Sequence, residues 1–384
     1  MGHLTENLVS EDGLEGFSGI VLSPVNRQPG DLARDIQKFR TVRSFDIVFD
    51  PQLYSPRDQR GELGKYSYYP SDIETAEFGN ANWWKKLTEA VCESATSLGV
   101  DAICSPITLP AKTNDSFYSQ CADNFELLRE TLAHTSVRPL MTLLVHLRDL
   151  ESPDDAMRIA SIVTRATPSG CYLIYEAEQE GRKEISNPES LYGLMVLIAA
   201  LERANCRVLA SHASAELLLL KAAGATSCST GKYFNLRRFT RKRFTAIDDD
   251  AGGTQSAYWF EHSLLANLKA ADIVRLRRDG FTEFLSVGPS RNRFSDEILE
   301  IFQNGEGTPW VKLGWCQYLA WFASAEAALA ATDASEQASI WLKEAEQRWG
   351  EMDEEEFLLT DIRNVGDWVR KWRQALGDFR KHQW

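Results

Sequence analysis

A chain of 384 residues exceeds one ordinary compact unit, unless that unit is a barrel of roughly 250 residues carrying an appendage. Its 43% hydrophobic and 25% charged content is that of a soluble globular protein, and its net charge of −13 argues against indiscriminate coating of DNA. Seven cysteines are scattered without a CxxC pair, which argues against a zinc ribbon or a disulfide framework and points to reduced, buried thiols.

The first stretch, MGHLTENLVSEDG, is acidic and polar and does not read as a signal peptide; residues 1–15 are expected to form a tail. From about residue 17 to 230, short apolar runs alternate with helical patterns. The runs are FSGIVLSP, FDIVFDP, DAICSP, PLMTLLVHL, CYLIYEA, CRVLASH and TSCST. Each carries few charges, as strands buried on both faces of a parallel sheet do. Helical stretches lie between them, among them NPESLYGLMVLIAALERAN, which opens with Asn187 as a cap and Pro188 in the first turn. Within it LYGLMVLIAAL, at 191–201, is about half as long as a membrane span requires, so a cytoplasmic chain with no membrane partner is expected. Seven or eight such units without GxGxxG predict an α/β fold, a (β/α)8 TIM-like barrel over residues 16–285, in preference to a doubly wound sheet. Beyond about residue 280 the pattern turns helical, giving a C-terminal helical region over 286–384. Eight of the eleven tryptophans lie past residue 300, to fill that region's core, dock it on the barrel or meet a protein partner.

In a barrel the strand ends carry the chemistry, and they nominate the candidates. Asp50 ends FDIVF, His146 the fourth strand, Tyr175 and Glu176 the fifth, His212 the sixth, and Ser229 with Lys232 the seventh. Asp50, Glu176 and Ser229 are the catalytic candidates; His146, Tyr175, His212 and Lys232 are the substrate-binding ones. Each has a structural alternative: Asp50 before Pro51 opens a turn, His146 is a satisfied barrel histidine, His212 caps a helix. A carboxylate at the end of an apolar strand is harder to dismiss, because burying it alone is costly. Then comes YFNLRRFTRKRF, where Arg237, Arg238, Arg241, Lys242 and Arg243 interleave with Tyr233, Phe234, Phe239 and Phe244. That mixture suits phosphate neutralisation and base stacking on DNA or RNA; its structural alternative is a solvated rim.

VLASHASAELLLLKAAGATSCST, CYLIYEAEQEGRKE and SAYWFEHSLLANLKAADIVRLRRDG resemble the tRNA-guanine transglycosylases and their DNA-acting relatives, over roughly residues 40–280. The first resembles the family's strand, helix and strand around its nucleophile, the second its base-binding segment, the third the helix after its metal-binding cysteines. The resemblance implies an acid/base role for Asp50. Where the family has its aspartate nucleophile this chain has Ser227, Cys228 and Ser229. Tyr175 and Glu176 replace its glycine pair, and His146 its glutamine. AIDDDAGGTQ, with Asp248, Asp249 and Asp250, stands in place of the zinc cysteines, and His262 matches the histidine ligand. Carboxylates do not replace thiolates for zinc, so no metal and no cofactor is expected. The leading expectation is a transglycosylase-like barrel acting on a nucleobase or its glycosidic bond in DNA or RNA, in DNA modification or antiviral defence. The alternatives are an inactive barrel serving as a nucleic-acid-binding or scaffolding subunit, and an enzyme for a small phosphorylated substrate held at GATSCSTGK.

Overall fold

Valine, isoleucine, leucine and phenylalanine fill the short runs, and seven of them pair side by side in parallel. In the computed structural model the described residues are 5–9, 11, 13–56, 61–70, 78–178, 181–244, 256–281, 291–304, 310–361 and 364–382. After the short helix α1 (Thr5–Leu8), the strands are β1 (Gly19–Leu22), β2 (Asp46–Phe49), β3 (Ala102–Cys104), β4 (Arg138–His146), β5 (Gly170–Glu176), β6 (Arg207–Ala210) and β7 (Ser227–Cys228). The helices between them are α2 (Pro29–Val42), α3 (Ala81–Leu98), α4 (Asp115–Thr131), α5 (Pro153–Thr164), α6 (Pro188–Arg203) and α7 (Leu217–Ala222). Side chains of Asn80, Asn114, Ser152 and Asn187 cap four of these helices; Asn187 accepts from the Ser190 amide at 2.9 Å, with Pro188 following as the sequence predicts.

Each strand neighbours the next in chain order, from β1 through β7, the order of a barrel. The fold is therefore α/β, with a curled half-barrel of seven parallel strands. An eighth strand closing it is not seen among the described residues. Instead β8 (Tyr258–Glu261) and β9 (Ala266–Lys269) form an antiparallel hairpin paired only with itself. This hairpin occupies the first half of SAYWFEHSLLANLKAADIVRLRRDG, whose likeness to a helix holds only for α8 (Ala270–Arg278). Glu261 turns the chain there by accepting from the amide and hydroxyl of Ser263.

Alternation along the strands sorts the core into two layers. Val21, Val48, Cys104, Leu144, Tyr172 and Ile174 share the inner face. Ile20, Ile47 and Phe49, then Leu143, Leu173 and Tyr175, face outward against helices. The remaining helices are α9 (Arg293–Gln303), α10 (Val311–Ala331), α11 (Ala334–Glu354) and α12 (Asp367–Lys381). One apolar cluster runs from Leu8 through the outer face of β4–β6 to Phe379, so these helices and the sheet share a core. Trp372 donates its indole N–H to the Ile185 carbonyl at 2.6 Å, and Gln317 bonds both backbone groups of Phe260. All seven cysteines are buried and free. Among the described residues no helix is long and apolar enough to cross a membrane.

Candidate active site

Parallel pairing brings side chains in register onto the same face. His146 is the register partner of Glu176, and Val48 two residues before Asp50 points inward, so Asp50, His146 and Glu176 share the inner face at the strand ends. Ser211 and Ser229 continue the row just past the ends of β6 and β7, for Leu209 pairs with Ser227 and the Ser229 amide bonds the Ala210 carbonyl. Asp50, 2% exposed, accepts from the Gln52 amide at 3.0 Å, from the Gln52 side-chain amide and from the Tyr54 hydroxyl at 2.9 Å. Burial raises its pKa above the ordinary carboxylate value, and these donors only partly oppose the shift. Gln52 and His212, each just past a strand end, take φ angles of 57° and 58°. Left-handed backbone at residues other than glycine is costly, and such strain collects at functional sites.

The segment after β7 closes over this row. Phe239 is fully buried and edge-on to Tyr54 and to His212, each with ring centroids 5.4 Å apart, and tilted against Phe244. Its carbonyl accepts from the Ala177 amide, and its backbone bridges Glu176. Arg241 reaches both Glu176 oxygens through Nε, at 2.8 and 3.0 Å, and donates through Nη1 to the Pro110 carbonyl. Asp50 and Glu176 thus lie under a common aromatic layer, each bonded to a residue of the wall above it, Tyr54 or Arg241. Both of those residues also line a cavity of about 640 Å3, with Phe78, Trp84 and Phe117 as its other aromatic surfaces.

Other nominated residues are placed elsewhere. Tyr175 lies on the outer face, because adjacent residues of a strand cannot both point inward; its hydroxyl donates to Glu216 at 3.0 Å. Lys232 is buried with its ammonium 4.8 Å from the Tyr233 ring centre and 4.6 Å from that of Trp315. The arginines expected on phosphates are largely spent on the protein. Arg237 donates to the carbonyls of Gly231 and Lys232 and lies 3.2 Å from the Tyr318 ring centre; burial lowers its pKa to about 10. Arg238, without exposed side-chain surface, sits between Glu184 at 3.5 Å and Glu216 at 3.7 Å. The side chains of Lys242 and Arg243, and Asp248, Asp249 and Asp250, lie outside the described residues. In GATSCSTGK the Thr230 hydroxyl is bonded to Ala213 and Tyr318.

His262 accepts the Trp321 indole N–H at Nδ1, 3.1 Å away, and burial lowers its pKa to about 4. A ring nitrogen so engaged is not offered to a metal. Among the described residues no cluster of three or more His, Cys, Asp or Glu could hold one. Gln52, Tyr54 and Cys104 belong to the site without having been nominated, and Phe239, singled out with the basic run, packs on Tyr54 and His212. The only sequence signal for the first two is their place just after Asp50-Pro51. No protein-family model and no curated protein matches the chain.

Proposed function

We propose that the chain is a TIM-like barrel enzyme that breaks the N-glycosidic bond of a nucleobase, as its resemblance to the transglycosylases implies. The observation that carries this reading is the pair of carboxylates, Asp50 from β2 and Glu176 from β5, on one inner face under one aromatic layer. Burial favours the protonated form of Asp50, which suits it to give a proton to the departing base. Glu176 faces the sugar, where positive charge develops, and takes a proton from the water that adds at the anomeric carbon. The carbon–nitrogen bond breaks, the base leaves with the proton of Asp50, and the proton gained by Glu176 restores it through solvent. His146, in register with Glu176, and His212 contact the base, while Ser229 lies in the same row. Exposed Lys112, Arg182 and Lys183 are left to meet a nucleic-acid backbone.

A second reading, a free nucleotide as substrate, is favoured by one observation: Arg237 and Arg238 are consumed inside the protein and give a polymer little grip. Release of free base from single-stranded DNA, RNA and nucleoside monophosphates tests both. Asp50→Asn and Glu176→Gln should each lower the rate by about a hundredfold or more. Turnover that Asp50→Asn leaves intact, or no base release from any of the three, removes the proposal.

A further inference from the structure

The protein carries a net charge of −13, yet the described residues lining the 640 Å3 cavity include Lys112 and Arg241 and no carboxylate. Its volume lies within the range of sites for small organic ligands, and the half-buried Phe78 and Phe117 in its lining are aromatic surfaces for a planar ring. Arg241 stands where the cavity meets the carboxylate row. Its side chain is 34% exposed, its Nε holds Glu176, and its Nη2 makes no hydrogen bond among the described residues. A guanidinium that lines a cavity, with one edge on a carboxylate and a donor unengaged among the described residues, is placed to exchange that carboxylate for another anion, since its planar fork fits phosphate and carboxylate alike.

We propose that the cavity binds a nucleotide-class ligand, a planar ring bearing a phosphate, and that Arg241 passes from Glu176 to that phosphate on binding. Taken as the substrate site this rests on the glycosidic reading above, and it gives that reading its missing step. While Arg241 covers Glu176 and Phe239 fills the mouth, the carboxylate pair is closed. Transfer of Arg241 to the ligand uncovers Glu176 and loosens the Phe239–Phe244 tip, whose base stays fixed by Arg237 and Arg238.

The test is equilibrium binding to the full chain of a nucleoside 5′-monophosphate, the matching nucleoside, inorganic phosphate and a short single-stranded oligonucleotide. The monophosphate should bind about tenfold tighter than the nucleoside, the worth of a charge-assisted hydrogen bond. Arg241→Gln should abolish that preference and Arg241→Lys retain part of it, while both variants, though less stable for leaving the buried Glu176 with a weaker partner, still bind the matching nucleoside as the parent does. Glu176→Gln should tighten monophosphate binding several-fold, because it releases Arg241; a static site gives no such gain. Alkylation of Cys104, which lies on the inner face by Tyr54, should speed up with bound monophosphate while Cys171 and Cys206 of the outer core stay protected. Tighter binding of the oligonucleotide assigns the ligand to a strand and tighter binding of the monophosphate to a free nucleotide; either upholds the site. Equal affinity for nucleoside and monophosphate, a preference that survives Arg241→Gln, or weaker binding in Glu176→Gln overturns it. Base release without the phosphate preference sinks this proposal alone, and the preference without base release sinks only the glycosidic reading.

Discussion

Asp50 is held by three donors and still titrates high, because burial outweighs them. A carboxyl whose pKa is raised in the folded state binds its proton more tightly there than in the unfolded chain. Its contribution to stability is therefore greatest below the unfolded value, near 4, and falls as pH rises through the folded one. Asp50→Asn should then unfold at a higher temperature than the parent at neutral pH, with the gap closing as the medium is acidified. The new amide is accommodated because Gln52 Oε1 has no partner among the described residues, so the Gln52 amide can turn over to accept from it. Base release by the parent should fall on the alkaline side as Asp50 loses its proton. A gap that widens on acidification would mean that Asp50 is held ionised. The sequence nominates Asp50 through its place at a strand end, but not Gln52 and Tyr54, whose roles follow from a left-handed backbone and a loop that folds back. It nominates Tyr175 and Glu176 together, and only pairing with β4 decides which of the two faces inward.

One scale up, the segment from Arg237 to Phe244 shows why a basic run can mislead. Read along the chain it is a cluster of cations and aromatics. Folded, Arg238 meets Glu184 from the loop before α6 and Glu216 at the start of α7. Those partners are distant in sequence, so nothing local distinguishes a buried ion cluster from a phosphate surface. Helix caps, whose partners are two or three residues away, are legible for the opposite reason. Burial first, and the neighbouring Glu216 next, raise the Glu184 pKa from 4.5 to about 8 against the opposing charges of Arg238 and Arg237. By the same sign rule, the stability that Glu184 contributes is full below about pH 4.5 and is lost as pH climbs toward about 8. Arg238→Met leaves both carboxylates without their guanidinium. It should cost about 3–5 kcal/mol at pH 8 and clearly less at pH 5, where Glu184 is neutral. Denaturant unfolding at the two pH values measures this; an equal loss at both would deny the cluster its charge.

For the whole molecule, the order of β1 through β7 is legible because each strand and helix writes its own period, and sequential βα units stack as neighbours. Closure is not, since β8–β9 carry the apolar pattern of strands while pairing only with each other, a choice made by tertiary contacts such as Gln317 on Phe260. The change of texture near residue 285 likewise suggests an appendage, yet the core crosses it. Tyr318 on α10 bonds Thr230 past β7, Trp372 on α12 bonds Ile185 before α6, and Glu326 on α10 accepts the amide of Cys228. Removing residues 286–384 would strip the apolar partners from the outer face of β5–β7 and strand these polar groups. The full chain should therefore melt in one cooperative transition, and a fragment of residues 1–285 should show none and should bind a hydrophobic dye. Two separate transitions in the full chain, or a fragment that melts cooperatively near the parent's temperature, would show instead that the half-barrel holds itself together and that the tryptophan-rich helices only rest upon it.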